Sequence, residues 1–193
     1  IAANRLVNVM HKMFDLAMTL WGRTEYDPTE GVKRNEESPR DQLPAAEQFD
    51  AVYEAAPEWL QCAMLLARDY ARRRGEIMGL SDADVLERGL RFARGKPRKG
   101  RAPKQIIIEW DDDLRATVDR LKAHTARIEG RTGAKCIRLL VNEDGGPVTE
   151  TGWNSAWARA VAKAKIVRAD FHFHDLRAVR YFRLNRSRAA ASR

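Results

Sequence analysis

The spacing of hydrophobic residues changes abruptly after Gly79-Leu80, and that change limits what the chain can fold into. Upstream, Pro57 stands at a helix start, and Leu60, Met64, Leu65 and Ala67 recur at helical spacing, predicting one buried face. A preceding helix opens over Pro44–Phe49 and carries its apolar positions on through Val52 and Tyr53. Downstream, Val85–Phe92 and Gln105–Trp110 read as two strands around a basic, Gly/Pro-rich connection, which is a hairpin with a long loop.

The same reading extends in both directions. Residues 3–22 form an amphipathic helix, with Leu6, Met10, Met13, Phe14, Ala17 and Trp21 on one face. Such a helix needs a neighbour, because its apolar stripe cannot be buried alone. After it come Tyr26-Asp27-Pro28-Thr29-Glu30-Gly31 and a charged stretch ending in Ser38-Pro39-Arg40, which suit a linker lying on a partner surface. Asp111–Asp113 supply a negative start to a helix carrying Leu114, Val118, Leu121 and Ile128. Cys136–Val141 is a strand or a buried extended segment, closed by a turn at Asn142–Pro147. Thr149 or Thr151 caps a last helix with Trp153, Trp157, Ala160, Val161 and Ala164 on one face. The fold class is mainly α with a small antiparallel β-sheet, an α+β arrangement, and no internal repeat is visible.

Hydrophobic residues make up 44% and charged residues 32% of the 193 positions, a globular composition with a highly charged surface. The net charge of +8 favours a polyanionic partner. That charge is concentrated: Arg88–Lys104 holds eight basic residues and no acidic one. The two cysteines, Cys62 and Cys136, lie in apolar runs without metal-ligand spacing and read as buried thiols of a reducing compartment. No apolar run reaches the length of a membrane span and no signal peptide is apparent, so a soluble, cytoplasmic protein is expected. The first residue is Ile1, which points to a start that is not the natural one.

Three segments carry chemistry. They are Arg72-Arg73-Arg74-Gly75-Glu76-Ile77-Met78-Gly79-Leu80, the loop Arg94–Arg101, and Phe171-His172-Phe173-His174-Asp175-Leu176-Arg177-Ala178. An enzyme that breaks a phosphodiester must stabilise charge on the non-bridging oxygens, and guanidinium groups provide this with a planar fork of donors. A loop lysine can protonate the leaving 5′-oxygen, and a histidine can move the nucleophile's proton. The spacing His174-x-x-Arg177 brings both side chains to one face of a helical turn. Each segment also has an ordinary explanation. Arginines at a helix end complement its dipole, basic loops are often only nucleic-acid contacts, and Glu76 can be a simple partner for a neighbouring arginine. Trp153 and Trp157 read as core anchors before stacking platforms.

Taken in order, the segments resemble the tyrosine recombinase (phage integrase) family. Arg73-Arg74-Gly75-Glu76-Ile77-Met78-Gly79-Leu80 looks like the family's first arginine box, which implies Arg73 as catalytic and Glu76 as the buried acid that orients it. Lys96 matches the catalytic lysine of the hairpin loop, with Arg94, Arg98, Lys99, Arg101 and Lys104 as DNA-binding neighbours. His174-Asp175-Leu176-Arg177-Ala178 looks like the second box, giving catalytic His174 and Arg177. The resemblance implies residues 1–26 as the last helix of a core-binding domain, 27–41 as linker, 42–178 as an incomplete catalytic domain and 179–193 as an atypical basic tail. It also implies strand cleavage and rejoining through a 3′-phosphotyrosine on double-stranded DNA, without metal or organic cofactor. Full-length relatives are expected to act as a DNA-bound tetramer.

Two departures stand out. The family carries a Leu-Gly-His position and a nucleophilic tyrosine further downstream, whereas residues 179–193 are rich in Arg, Ala and Ser and contain neither. This reads as a truncated fragment without its nucleophile, from a phage or another mobile element, with a shifted reading frame as one origin of the tail. Tyr181 is only four residues from Arg177, too near to be that nucleophile by position. The second departure is Ala71, where the family often has glycine, so the preceding helix is expected to run further. A non-enzymatic DNA-binding remnant, or a general basic nucleic-acid-binding protein, are the competing readings.

Overall fold

The structure is a computed structural model, and it describes residues 2–36, 43–94, 104–167 and 171–180. The chain divides into two compact units, 1–42 and 43–193.

In the first unit, α1 spans Ala2–Thr19, three residues shorter at its end than the apolar pattern suggests. None of its residues is buried, and Leu6, Met13 and Trp21 stand exposed among the described residues. The segment after α1 returns along its polar side. Asn35 N–H donates to Asn4 Oδ1 at 2.9 Å, Arg34 bonds Asn8, and the buried Asp27 pairs with His11.

The second unit is built around α3 (Glu58–Tyr70), eight of whose residues are buried, including Trp59, Leu60, Met64 and Leu66. A helix apolar on nearly every side belongs in the interior. It packs against α2 (Ala46–Ala55), α5 (Asp112–Thr132) and α6 (Glu150–Lys163). Local chemistry sets their starts. Asp111 accepts from Leu114 N–H at 2.7 Å ahead of α5, and Thr149 accepts from Gly152 N–H at 3.0 Å ahead of α6. Cys136–Val141 makes isolated bridges from Arg138 to Ser81 and from Val141 to Pro147, is buried at Cys136 and over Leu139–Val141, and is tied by Leu139 N–H to Leu80 O at 3.0 Å.

The sheet has three antiparallel strands, β1 (Val85–Leu86), β2 (Gly89–Arg94) and β3 (Lys104–Glu109), in that order. The expected first strand is thus two, because the chain reverses at Glu87-Arg88 and pairs Leu86 with Gly89. Gly89 allows this: a Cβ there would lie 2.0 Å from Ile108 O across the pair. Mainly helical structure with a small antiparallel sheet matches the expected fold class.

Both thiols are free and buried, and burial pushes the Cys62 thiol up to about 11. Among the described residues no cluster of His, Cys, Asp and Glu could hold a metal ion, and no helix is long and apolar enough to cross a membrane.

Candidate active site

The first arginine box begins where α3 ends. The expected continuation of that helix does not occur: it stops at Tyr70, and Ala71 adopts the left-handed conformation at φ 53° and ψ 34°. The chain turns there, so Arg73 leads the short helix α4 (Arg74–Met78) in extended conformation. Alanine takes a glycine's place because the helix end is heavily capped. Arg72 Nε donates to Tyr70 O at 2.7 Å, Arg177 Nε donates to Ala71 O at 2.8 Å, and Arg180 bonds Asp69 O. Guanidinium groups thereby satisfy carbonyls that a helix C-terminus leaves open, with charge complementary to its dipole.

Glu76 sits at the centre of the box with a buried side chain, 8% exposed. Its Oε2 accepts the Arg73 N–H at 3.1 Å, its Oε1 lies 3.7 Å from Arg73 Nη1, and Arg72 Nη1 is 3.9 Å away. The Arg72 guanidinium is mostly buried and lies 5.4 Å from the centre of the Phe92 ring on β2. The side chain of Arg73 is half exposed. Of the arginine pair at 72 and 73, the first is held in the protein and the second faces outward.

The second box follows α6. Phe173–Asp175 is one turn of 3-10 helix, continued helically over 176–180. Phe173 is buried edge-on against Trp153 and Trp157, with ring centres 4.8 and 5.4 Å apart. Both tryptophans are core residues, at 1% and 6% exposure. Anchored this way, His174 is exposed and Arg177 half-buried. They line one open cavity of about 410 Å³ together with Arg74, Asn154 and His172. Arg177 therefore links the two boxes, touching Ala71 two residues before Arg73.

Lys96, Arg98, Lys99, Arg101 and Tyr181 lie outside the described residues. The backbone of Arg94 ends β2 opposite Lys104, the exposed first residue of β3.

Two sets of contacts escaped the sequence. Arg180 clasps α3 and stacks 5.5 Å from the centre of the Tyr70 ring, a contact that no local spacing announces. Arg74 spans to α6, donating to Asn154 Oδ1 at 2.9 Å and pairing with Glu150 at 3.3 Å.

The sequence model of the phage integrase family matches residues 40–192. No curated protein matches. Among solved structures, lambda integrase (residues 75–356) bound to DNA superposes with a TM-score of 0.67 at 18% identity, covering 92% of this chain and 62% of that one. A lambda integrase tetramer bound to a Holliday junction gives 0.65 at 18%, covering 90% and 49%. The Tn1549 transposon integrase in complex with circular intermediate DNA gives 0.67 at 16%, covering 95% and 66%. The chain thus spans less than two thirds of these two lambda integrase chains, and the likeness establishes the fold. With the family match over most of the sequence, the conclusion is direct: the chain belongs to the phage integrase family.

Proposed function

We propose that this chain carries the phosphate-handling part of a site-specific DNA recombinase, acting in the cytoplasm on double-stranded DNA. The observation that carries the reading is the 2.8 Å bond from Arg177 to Ala71, which ties the second box to the helix end two residues before the first. Arg177 Nε is committed to that carbonyl, so the terminal nitrogens are the ones to meet a phosphate. Arg73, half exposed beside its buried acid, supplies the second fork. Two guanidinium groups neutralise the non-bridging oxygens as the phosphorus gains a fifth ligand.

In the full reaction a tyrosine oxygen attacks phosphorus and the bond to the 5′-oxygen breaks. Lys96 delivers the proton that the leaving oxygen takes up, and His174 handles the proton of the nucleophile. The product is a 3′-phosphotyrosine with a free 5′-hydroxyl, and rejoining reverses the step. The assembly is a tetramer on DNA, as in the lambda integrase complex with a Holliday junction.

No tyrosine among these residues is assigned as nucleophile. Tyr181 is four residues from Arg177, and that spacing supports a second reading: a DNA-binding chain that does not cleave. A nicked suicide duplex separates the two. A covalent adduct lost in Tyr181→Phe would make Tyr181 the nucleophile, while binding without an adduct supports the second reading. Arg73→Ala, compared with the exposed Arg159→Ala, tests the site itself. Equal, small effects on duplex affinity would remove Arg73 from it.

A further inference from the structure

Arg74 is the arginine for which the two boxes leave no role, yet it lines the same cavity as His174 and Arg177. Its guanidinium is about one-third exposed. Asn154 Oδ1 accepts one of its N–H groups at 2.9 Å and fixes the head group over the cavity from α6. Its charge partner among the described residues is Glu150, whose Oε1 lies at 3.3 Å. Glu150 is 77% exposed and sits in the first turn of α6, a position that suits a carboxylate on its own account. An ion pair so exposed contributes little and exchanges readily. By contrast, Arg72 is held inside the protein by Glu76 and the Tyr70 carbonyl.

We propose that Arg74 binds a DNA phosphate next to the scissile one, and that Glu150 occupies its guanidinium in the absence of DNA. Asn154 keeps the head group in place during the exchange, so the arginine swaps one anionic partner for another without reordering. A DNA phosphodiester matches the carboxylate in charge and in anionic oxygens, but it sits in a polyanionic duplex whose condensed counterions are released when it is bound. Glu150 then acts as a built-in competitor that lowers affinity for DNA in general. This inference rests on the DNA-binding function proposed above.

The test is fluorescence anisotropy with a labelled duplex, using the full chain, between about 50 and 200 mM salt. Each lost phosphate contact makes the slope of log affinity against log salt shallower by about 0.9. Arg74→Ala is therefore expected to bind more weakly at low salt, with the affinity loss across that salt range reduced by about 3.5-fold. Arg74→Gln, closer in size, should match it, and circular dichroism should show both folded. Glu150→Gln is expected to tighten binding about 2- to 3-fold in the parent chain and to do nothing in the Arg74→Ala background. An equal gain in both backgrounds would show a general charge effect and overturn the exchange. An unchanged salt slope in both Arg74 variants overturns the phosphate contact. Failure of the parent chain to bind duplex at all would instead sink the DNA-binding function.

Discussion

Arg177 donates its Nε–H to the carbonyl oxygen of Ala71 at 2.8 Å, across 106 positions of sequence. One side chain therefore closes the end of α3 and points a proposed phosphate ligand at the arginine box that begins two residues later. Arg180 repeats the clasp one turn on, at Asp69 O. Replacing either by alanine leaves a helix-end carbonyl without its charged donor, at a cost of about 1.5–3 kcal/mol. In a chain of this size that lowers the melting temperature by about 2–4 °C per kcal/mol. Because both hold one helix end, the double variant should lose less than the sum of the two. Strict additivity in thermal melts would show that they act independently.

Ala71 offers a prediction of opposite sign. A non-glycine residue in the left-handed region costs about 1–2 kcal/mol, partly offset by the greater unfolded freedom of glycine. Ala71→Gly is expected to stabilise the domain by up to about 1 kcal/mol. The exposed Ala162, within α6, is the control: glycine there should destabilise by about 1 kcal/mol. Equal losses at both positions would remove the proposed strain.

What could be read from the sequence follows how local each interaction is. Asp111 and Thr149 cap their helices through residues three positions away, so both helix starts were visible. Burial of Trp153 and Trp157 followed from helical spacing. The end of α3 was not visible, because its stop signal is a set of arginines, two of them more than 100 residues downstream. Strand β1 was missed because Glu87-Arg88 lacks the usual turn residues, although Gly89 marked the tight crossing. The boxes themselves were legible as patterns, while their meeting through Arg177 depends on the tertiary fold.

Cys62 should be chemically silent in the folded chain. Burial pushes its thiol up to about 11, so almost no thiolate exists at neutral pH. Thiol reagents are expected to modify it only after unfolding, at the rate of global opening. Prompt modification of Cys62 under native conditions, read by mass spectrometry, would contradict the packing of α3.

Acid should weaken the fold through identifiable carboxylates. Burial raises Asp84, but hydrogen bonds from Ser81 and Arg91 outweigh it and hold the group below its ordinary value. Glu58 follows the same pattern, with Arg127 overcoming burial. A carboxylate lowered by folding stabilises the fold in full above its unfolded value of about 4, and loses that contribution as pH falls through its folded value. Melting temperature is expected to hold above about pH 5 and to drop below about pH 4. Asp84→Asn should be less stable at neutral pH and show a shallower acid decline; a parallel decline would exclude Asp84 from it.

Gly89 gives the sharpest test of the pairing between β2 and β3. A Cβ on Gly89 would meet Ile108 O at 2.0 Å, Ile108 C at 2.8 Å and Glu109 Cα at 3.0 Å. All three are backbone atoms of β3, so no side chain can rotate away, and β2 must move from its partner. Gly89→Ala is expected to cost about 2–4 kcal/mol, near the upper end for a single substitution. The damage should be local at first, because Gly89 pairs with Glu109 at the end of the ladder opposite Arg94 and Lys104. Hydrogen exchange should quicken at Leu90–Phe92 and Ile106–Ile108 before α3 and α5 are affected. Under the proposed function, duplex affinity then falls with the hairpin while Arg177 keeps its hold on Ala71. A variant as stable as the parent, with unchanged exchange in β2, would show that the strands do not approach this closely.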